Sequence, residues 1–140
     1  MRILVIDDEP DVLLLCRVNL QIAGHEVLEA PNGERGLELA MREDPDVIVL
    51  DLMLPQKDGL SVLADLAADD RTRHTPVILL TAKTQAEDRL AGWRAGCTEY
   101  MTKPFSPVGL ADTVDRVVGM SADERLSRRD RELVRLTARV

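Results

Sequence analysis

Asp46-Val47-Ile48-Val49-Leu50-Asp51 is a short, continuously apolar run that ends on an acidic residue. Four consecutive aliphatic residues between charged ones are typical of a strand that is buried on both faces. The form recurs at Arg2–Asp7, and Pro76–Thr81 repeats it with a hydroxyl at the end. Two further short strands are predicted at His25–Ala30, which alternates weakly, and at Thr98–Thr102.

Amphipathic segments that separate these strands are predicted to be helices. Pro10 suits the first turn of one helix, Asn32 begins another, and Ser106 before a proline begins the fifth. Thr84-Gln-Ala-Glu87 has the spacing of a capping box for the fourth. Alternating strands and helices without hairpin turns predict an α/β fold, with a doubly wound five-stranded parallel sheet. Such sheets bind ligands at the carboxyl ends of their strands.

The chain changes character near Gly119. Residues 1–119 carry 21 acidic and 12 basic side chains, whereas residues 120–140 carry 4 acidic and 6 basic ones. Ser121 begins a second capping box, and Leu126, Leu133 and Val140 recur every seven residues. We therefore predict one domain over residues 1–119 and a helical tail over 120–140. The tail is either a solvated amphipathic helix or the start of a coiled-coil linker.

Composition restricts the classes of function that the chain can have. The net charge of −7 disfavours binding of nucleic acid by the body of the protein. No apolar run is long enough to span a membrane, and the N-terminus lacks a signal-peptide pattern. Cys16 and Cys97 lie too far apart in sequence for a metal motif or a disulfide framework. A cytoplasmic location is the expected one.

Polar groups follow four of the predicted strands. Asp7 and Asp8 follow the first, Asp51 the third, Thr81 ends the fourth, and Lys103 follows the fifth. Carboxylates that converge on one sheet edge repel one another unless a cation lies among them, and Mg²⁺ suits a few carboxylates and waters. A carboxylate next to Mg²⁺ and an ammonium group can attack phosphorus and form an acyl phosphate.

These residues resemble the CheY-like receiver domain of response regulators, the phosphorylated proteins of two-component signal transduction in bacteria. The matching stretches are Ile6-Asp-Asp-Glu-Pro10, Val49-Leu-Asp-Leu-Met-Leu-Pro55, Asp58-Gly59, Leu80-Thr-Ala82 and Tyr100-Met-Thr-Lys-Pro-Phe105. The resemblance covers roughly residues 1–119. It implies a flavodoxin-like fold with strand order 2-1-3-4-5.

The resemblance also implies a role for each acidic residue. Asp51 is the phospho-acceptor, and Asp7 and Asp8 form the acidic pair that binds Mg²⁺ together with Asp51. Met53 stands where the family supplies a backbone carbonyl to the metal. Its apolar side chain cannot orient an attacking water, so we expect slow loss of the phosphoryl group.

Three further residues take their roles from the same resemblance. Thr81 is the switch hydroxyl, Tyr100 is the switch aromatic, and Lys103 pairs with the phosphoryl group. The bond from Lys103 to Pro104 is expected to be cis. Phosphorylation is expected to draw Thr81 inward and to move Tyr100 from an exposed to a buried position. The surface of the fourth helix, the fifth strand and the fifth helix then changes shape.

The implied function is a signalling switch that accepts its phosphoryl group from a sensor histidine kinase or a phosphotransfer protein. No enzymatic activity is expected beyond phosphotransfer and autodephosphorylation. Homodimerisation on phosphorylation is compatible with the family, although Asp112 occupies a position that is usually basic in winged-helix members. Alternatives are a pseudo-receiver interaction module, or the N-terminal receiver of a larger regulator with a signalling-enzyme output. An aspartate phosphatase is disfavoured, because such enzymes need a second acid at the position of Met53.

Overall fold

The computed structural model describes residues 1–139. Within these residues, five strands and six helices alternate until the last two elements, which are both helices. In order, they are β1 (Arg2–Ile6), α1 (Pro10–Ile22), β2 (Glu26–Ala30), α2 (Gly33–Glu43), β3 (Val47–Leu50), α3 (Gly59–Ala68), β4 (Val77–Thr81), α4 (Ala86–Arg94), β5 (Glu99–Thr102), α5 (Pro107–Val118) and α6 (Ala122–Thr137).

The five strands form one parallel sheet in the order β2-β1-β3-β4-β5. Alternate residues of each strand enter two separate apolar clusters, one on each face of the sheet. Helices α1 and α5 cover one face, while α2, α3 and α4 cover the other. The predicted doubly wound, flavodoxin-like fold and its strand order are confirmed.

Most of the predicted helix starts are correct. The side chains of Asn32, Ser106 and Ser121 each accept a hydrogen bond from a backbone N–H in the first turn of the helix they precede. The capping box predicted at Thr84 is wrong, because α4 begins one residue later, after Gln85, and has no side-chain cap. Extended backbone at Gln85 keeps the preceding residues outside the helix.

Helix α6 packs against α4. Leu136 is fully buried in the cluster that also contains Trp93, and Leu133 packs against the same cluster. Trp93 is therefore part of the core, beneath α6. Leu126 stays largely exposed, and Val140, the last residue of the predicted heptad, lies outside the described residues. Between Ala122 and Thr137 the tail is thus a packed helix and not a freely solvated one.

No helix within residues 1–139 combines the length and apolar character needed to cross a membrane.

Candidate functional site

The ends of adjacent strands bring the predicted acidic residues together. Ile6 of β1 pairs with Leu50 of β3, so Asp7 and Asp51 each follow the last paired residue of a neighbouring strand. The Asp51 N–H donates to the Ile6 carbonyl at 3.0 Å, which extends the ladder by one bond. Both carboxylates therefore lie at the carboxyl edge of the sheet, and both are buried.

Asp7, Asp8 and Asp51 form a carboxylate cluster whose facing oxygens lie within 4.8 Å of one another. Asp8 is exposed, so one side of the cluster is open to solvent. The Met53 N–H donates to Asp51 Oδ1 at 3.0 Å and fixes the orientation of that carboxylate. Hard oxygen donors with an open side fit Mg²⁺, which keeps some of its water ligands.

Lys103 reaches this cluster from the loop that follows β5. Its Nζ lies 2.9 Å from Asp7 Oδ2, 3.0 Å from Asp51 Oδ2 and 3.0 Å from Glu9 Oε1. Burial alone would lower the pKa of the Lys103 ammonium, but its hydrogen bonds to these carboxylates outweigh burial and raise that pKa. The ammonium group is therefore charged at neutral pH. The peptide bond from Lys103 to Pro104 is cis, as expected.

The pKa of the Asp7 carboxyl group is raised in this cluster. Burial raises its pKa above the ordinary value, although hydrogen bonds from Lys103 and from the Glu9 N–H act in the opposite direction. One ammonium group thus leaves the buried acids short of positive charge. A divalent cation among them would supply it.

Thr81 and Tyr100 lie on the neighbouring strands β4 and β5. Thr81 is fully buried, and its hydroxyl oxygen accepts a hydrogen bond from the Lys83 N–H at 3.3 Å. Tyr100 is 6% exposed, and its hydroxyl donates to the Lys83 carbonyl at 2.8 Å. Tyr100 therefore occupies a buried position in this structure.

Two features of the site were not assigned roles from the sequence. The Glu9 side chain contacts Lys103. The sequence feature that could have indicated this contact is the position of Glu9 beside the acidic pair. Gly59 begins α3 directly against the backbone of Asp51, and a Cβ atom added there would lie 2.5 Å from the Leu52 Cα. Its place in the Asp58-Gly59 motif marked Gly59, but the close approach depends on the packing of α3.

Comparison with known proteins gives a consistent result. Residues 3–115 match the sequence family described as the response regulator receiver domain. The chain is 46% identical over 104 residues to the DNA-binding dual master transcriptional regulator RpaA of Synechocystis, a match that covers 74% of this chain and 43% of that protein. It is 38% identical over 117 residues to Protein PilH of Pseudomonas aeruginosa, covering 84% of this chain and 97% of that one.

A solved structure supports the same assignment. The chemotaxis protein CheY4 of Vibrio cholerae superposes with a TM-score of 0.79 at 31% identity, over 83% of this chain and 97% of that one. The match to RpaA spans less than half the length of that relative. The family match and the shared fold agree, and the chain belongs to the response regulator receiver domain family.

Proposed function

We propose that the protein is a phosphorylation switch in which Asp51 accepts a phosphoryl group from a histidine kinase or a phosphotransfer protein. The single observation that supports this best is the environment of the Asp51 carboxylate. It is buried, held by the Met53 N–H and contacted by Lys103 Nζ at 3.0 Å, with two further acids beside it. Family membership gives the general role, and this geometry supports the assignment of residues.

The proposed metal ligands are Asp7, Asp8 and Asp51, with the backbone carbonyl of Met53 as the fourth protein group. When bound, Mg²⁺ would offset the charge of the phosphoryl oxygens. Lys103 would offset the same charge, since its ammonium already touches Asp51. Asp7 would act as a metal ligand only in its deprotonated form.

In the transfer step, an Asp51 carboxylate oxygen forms a bond to phosphorus while the phosphorus–nitrogen bond to the donor histidine breaks. The electron pair of that bond returns to the imidazole, and the product on this chain is an acyl phosphate. Autodephosphorylation reverses the modification with water as the attacking group. No step needs an oxidant or a base with a raised pKa.

The proposed response is a population shift toward the arrangement with Tyr100 buried. The Thr81 hydroxyl would hydrogen-bond a phosphoryl oxygen, and the hydrogen bond from Tyr100 to the Lys83 carbonyl would hold the loop after β4 in register. Tyr100 is inward in this structure, and we propose that phosphorylation stabilises this arrangement. The surface of α4, β5 and α5 is its proposed readout, with homodimerisation one form that the readout can take.

Other candidate functions are less well supported. A phosphatase would need an acid at residue 53, where Met53 has a side chain that is 53% exposed and apolar. A pseudo-receiver would lack part of the set of acids and lysine that meets here. The relative RpaA is named a transcriptional regulator and is matched over less than half its length. A larger protein with an output domain is therefore compatible with the proposal. We also propose that the switch acts in the cytoplasm.

Labelling with a small phosphodonor tests the proposal. The wild-type chain should gain an acid-labile label only when Mg²⁺ is present, and Asp51→Asn should gain none. Asp70→Asn is the matched control, because Asp70 is 90% exposed and far in sequence from the site. Equal labelling of wild type and Asp51→Asn would refute the assignment, and turnover of phosphate esters would favour the enzyme.

A further inference from the structure

We propose that α6 is an intramolecular latch whose docking on α4 and β5 is energetically coupled to phosphorylation of Asp51. The docking part stands on the contacts of α6 alone, whereas the coupling rests on the function proposed above. Under this proposal, α6 binds part of the surface of α4, β5 and α5 whose shape would change on phosphorylation.

The contacts with α4 involve the C-terminal end of that helix. Arg129 Nε donates to the Trp93 carbonyl at 3.0 Å, and its Nη2 donates to the Arg94 carbonyl at 3.0 Å. The last carbonyls of a helix lack partners within the helix and carry its partial negative charge. Arg129 supplies both hydrogen bonds and positive charge there. Arg128 lies 5.7 Å from the centre of the Trp93 ring and packs over it.

The contacts with β5 involve a buried acid. Arg128 Nη2 donates to both carboxylate oxygens of Glu99, at 2.7 and 3.0 Å, and the Glu99 side chain is only 9% exposed. Arg116 of α5 also donates to Glu99 at 2.8 Å. One buried carboxylate thus joins β5, α5 and α6. Removing Arg128 would break this contact of α6 but leave Glu99 paired with Arg116.

These anchors lie directly beside Tyr100. Glu99 precedes it in β5, and the Tyr100 N–H donates to Glu99 Oε1 at 3.1 Å. On the other side, Gly92 precedes Trp93 in α4, and a Cβ atom added at Gly92 would lie 3.1 Å from the Tyr100 ring. Helix α6 therefore contacts Glu99 and Trp93, which are the sequence neighbours of Tyr100 and of Gly92. A shift of α4 relative to β5 would have to strain or break the α6 contacts.

This geometry gives the coupling a direction. Helix α6 is docked in a structure in which Tyr100 is buried and bonded to the Lys83 carbonyl. Docking should therefore favour the same arrangement that phosphorylation favours. Because coupling between two sites is reciprocal, phosphorylation should tighten α6 on α4, and loss of α6 docking should weaken binding at Asp51 by the same factor.

Trp93 makes docking measurable, because it is the only tryptophan of the chain and is 3% exposed beneath α6. The test uses the full chain, with acrylamide quenching of Trp93 fluorescence and titration with beryllofluoride in excess Mg²⁺. The variant is Arg128→Ala with Arg129→Ala, and Arg129→Ala alone serves if the double variant does not fold. Arg131→Ala, an exposed position on the same helix, is the matched control.

We expect the double variant to show more quenching than wild type and to bind beryllofluoride at least about fivefold more weakly, the lower end of typical allosteric couplings. The control should match wild type in both measurements. Equal beryllofluoride affinity in wild type and double variant would overturn the coupling, and unchanged quenching would overturn the latch. If wild type binds no beryllofluoride, the proposed function fails instead, and the quenching result still decides whether α6 docks as described.

Discussion

Replacing Lys103 with methionine removes a cation that touches both buried carboxylates. Lys103 Nζ is 2.9 Å from Asp7 and 3.0 Å from Asp51, and the side chains of both acids are 3% exposed. Methionine keeps most of the volume of the lysine stem and removes the charge. The Lys103→Met variant should therefore be less stable than wild type in the presence of a chelator.

The magnitude follows from the burial of the three groups. Each contact at this distance is worth on the order of 5 kcal/mol of Coulomb attraction at an effective dielectric constant of about 20, most of which offsets desolvation. Removing one partner of a buried pair costs about 3–5 kcal/mol. Lys103 is 12% exposed and Asp7 can take up a proton, so we expect a loss of about 2–4 kcal/mol at neutral pH.

Urea unfolding with chelator and with saturating Mg²⁺ provides the assay. Mg²⁺ should restore more stability in Lys103→Met than it adds to wild type, because it replaces the missing cation among the same carboxylates. Lys57→Met is the matched control. The Lys57–Asp65 pair has side chains that are 34% and 47% exposed, so its loss should cost at most about 1 kcal/mol.

Two results would refute this reasoning. A loss in Lys103→Met no larger than that in Lys57→Met would mean that Lys103 does not neutralise the buried acids. An equal gain from Mg²⁺ in wild type and in Lys103→Met would mean that the metal does not bind among the carboxylates that Lys103 contacts.

Three further substitutions test separate parts of the site. Met53→Asn should shorten the lifetime of the phosphoryl group by about two- to tenfold, the equivalent of one hydrogen bond to the attacking water, as measured by loss of label. Gly59→Ala should destabilise the fold by about 1–3 kcal/mol and slow labelling, because the new methyl group meets the Asp51 backbone. Asp7→Asn should stabilise the metal-free protein at neutral pH by about 0.5–2 kcal/mol and abolish stabilisation by Mg²⁺.

The sign for Asp7 follows from its raised pKa. The folded state holds a proton on Asp7 at a higher pH than the unfolded chain does, so folding loses stability as pH rises through the folded pKa. A neutral asparagine avoids that loss. A lower stability of Asp7→Asn in chelator would contradict the argument.

The predictions for Met53→Asn and Gly59→Ala can each be contradicted by one result. Unchanged hydrolysis in Met53→Asn would show that the side chain at residue 53 does not orient the attacking water. For Gly59→Ala, the control is Gly119→Ala, where a new Cβ would make only ordinary contacts. Equal stability of the two alanine variants would remove the case for close packing at Gly59.

The sequence was sufficient to predict the fold and the sheet edge that carries the site. Buried parallel strands leave a continuous apolar run, and the acid or hydroxyl that ends each run identifies the edge at which the strand ends converge. Arg2–Ile6 and Val47–Leu50 illustrate both signals. Helix N-caps were also predictable from the sequence where a side chain accepts a hydrogen bond from the first turn of the helix, as at Ser106.

The remaining features depend on tertiary packing, which local patterns do not encode. The heptad spacing of α6 was compatible with a linker, but Leu136 is buried against the same domain. The link from Arg128 to Glu99 joins residues 29 positions apart, with no pattern in either segment that points to the other. At Thr84 the capping signal was present, yet the backbone at Gln85 stays extended and the helix begins later.

The most direct test of the central claim is to locate the phosphoryl group by tandem mass spectrometry after reaction with a phosphodonor and Mg²⁺. We expect the modification on Asp51, in the segment that joins β3 to α3, and its absence when a chelator replaces Mg²⁺. A phosphoryl group found on Asp7, Asp8 or a histidine, or one that forms equally well without Mg²⁺, would contradict the account.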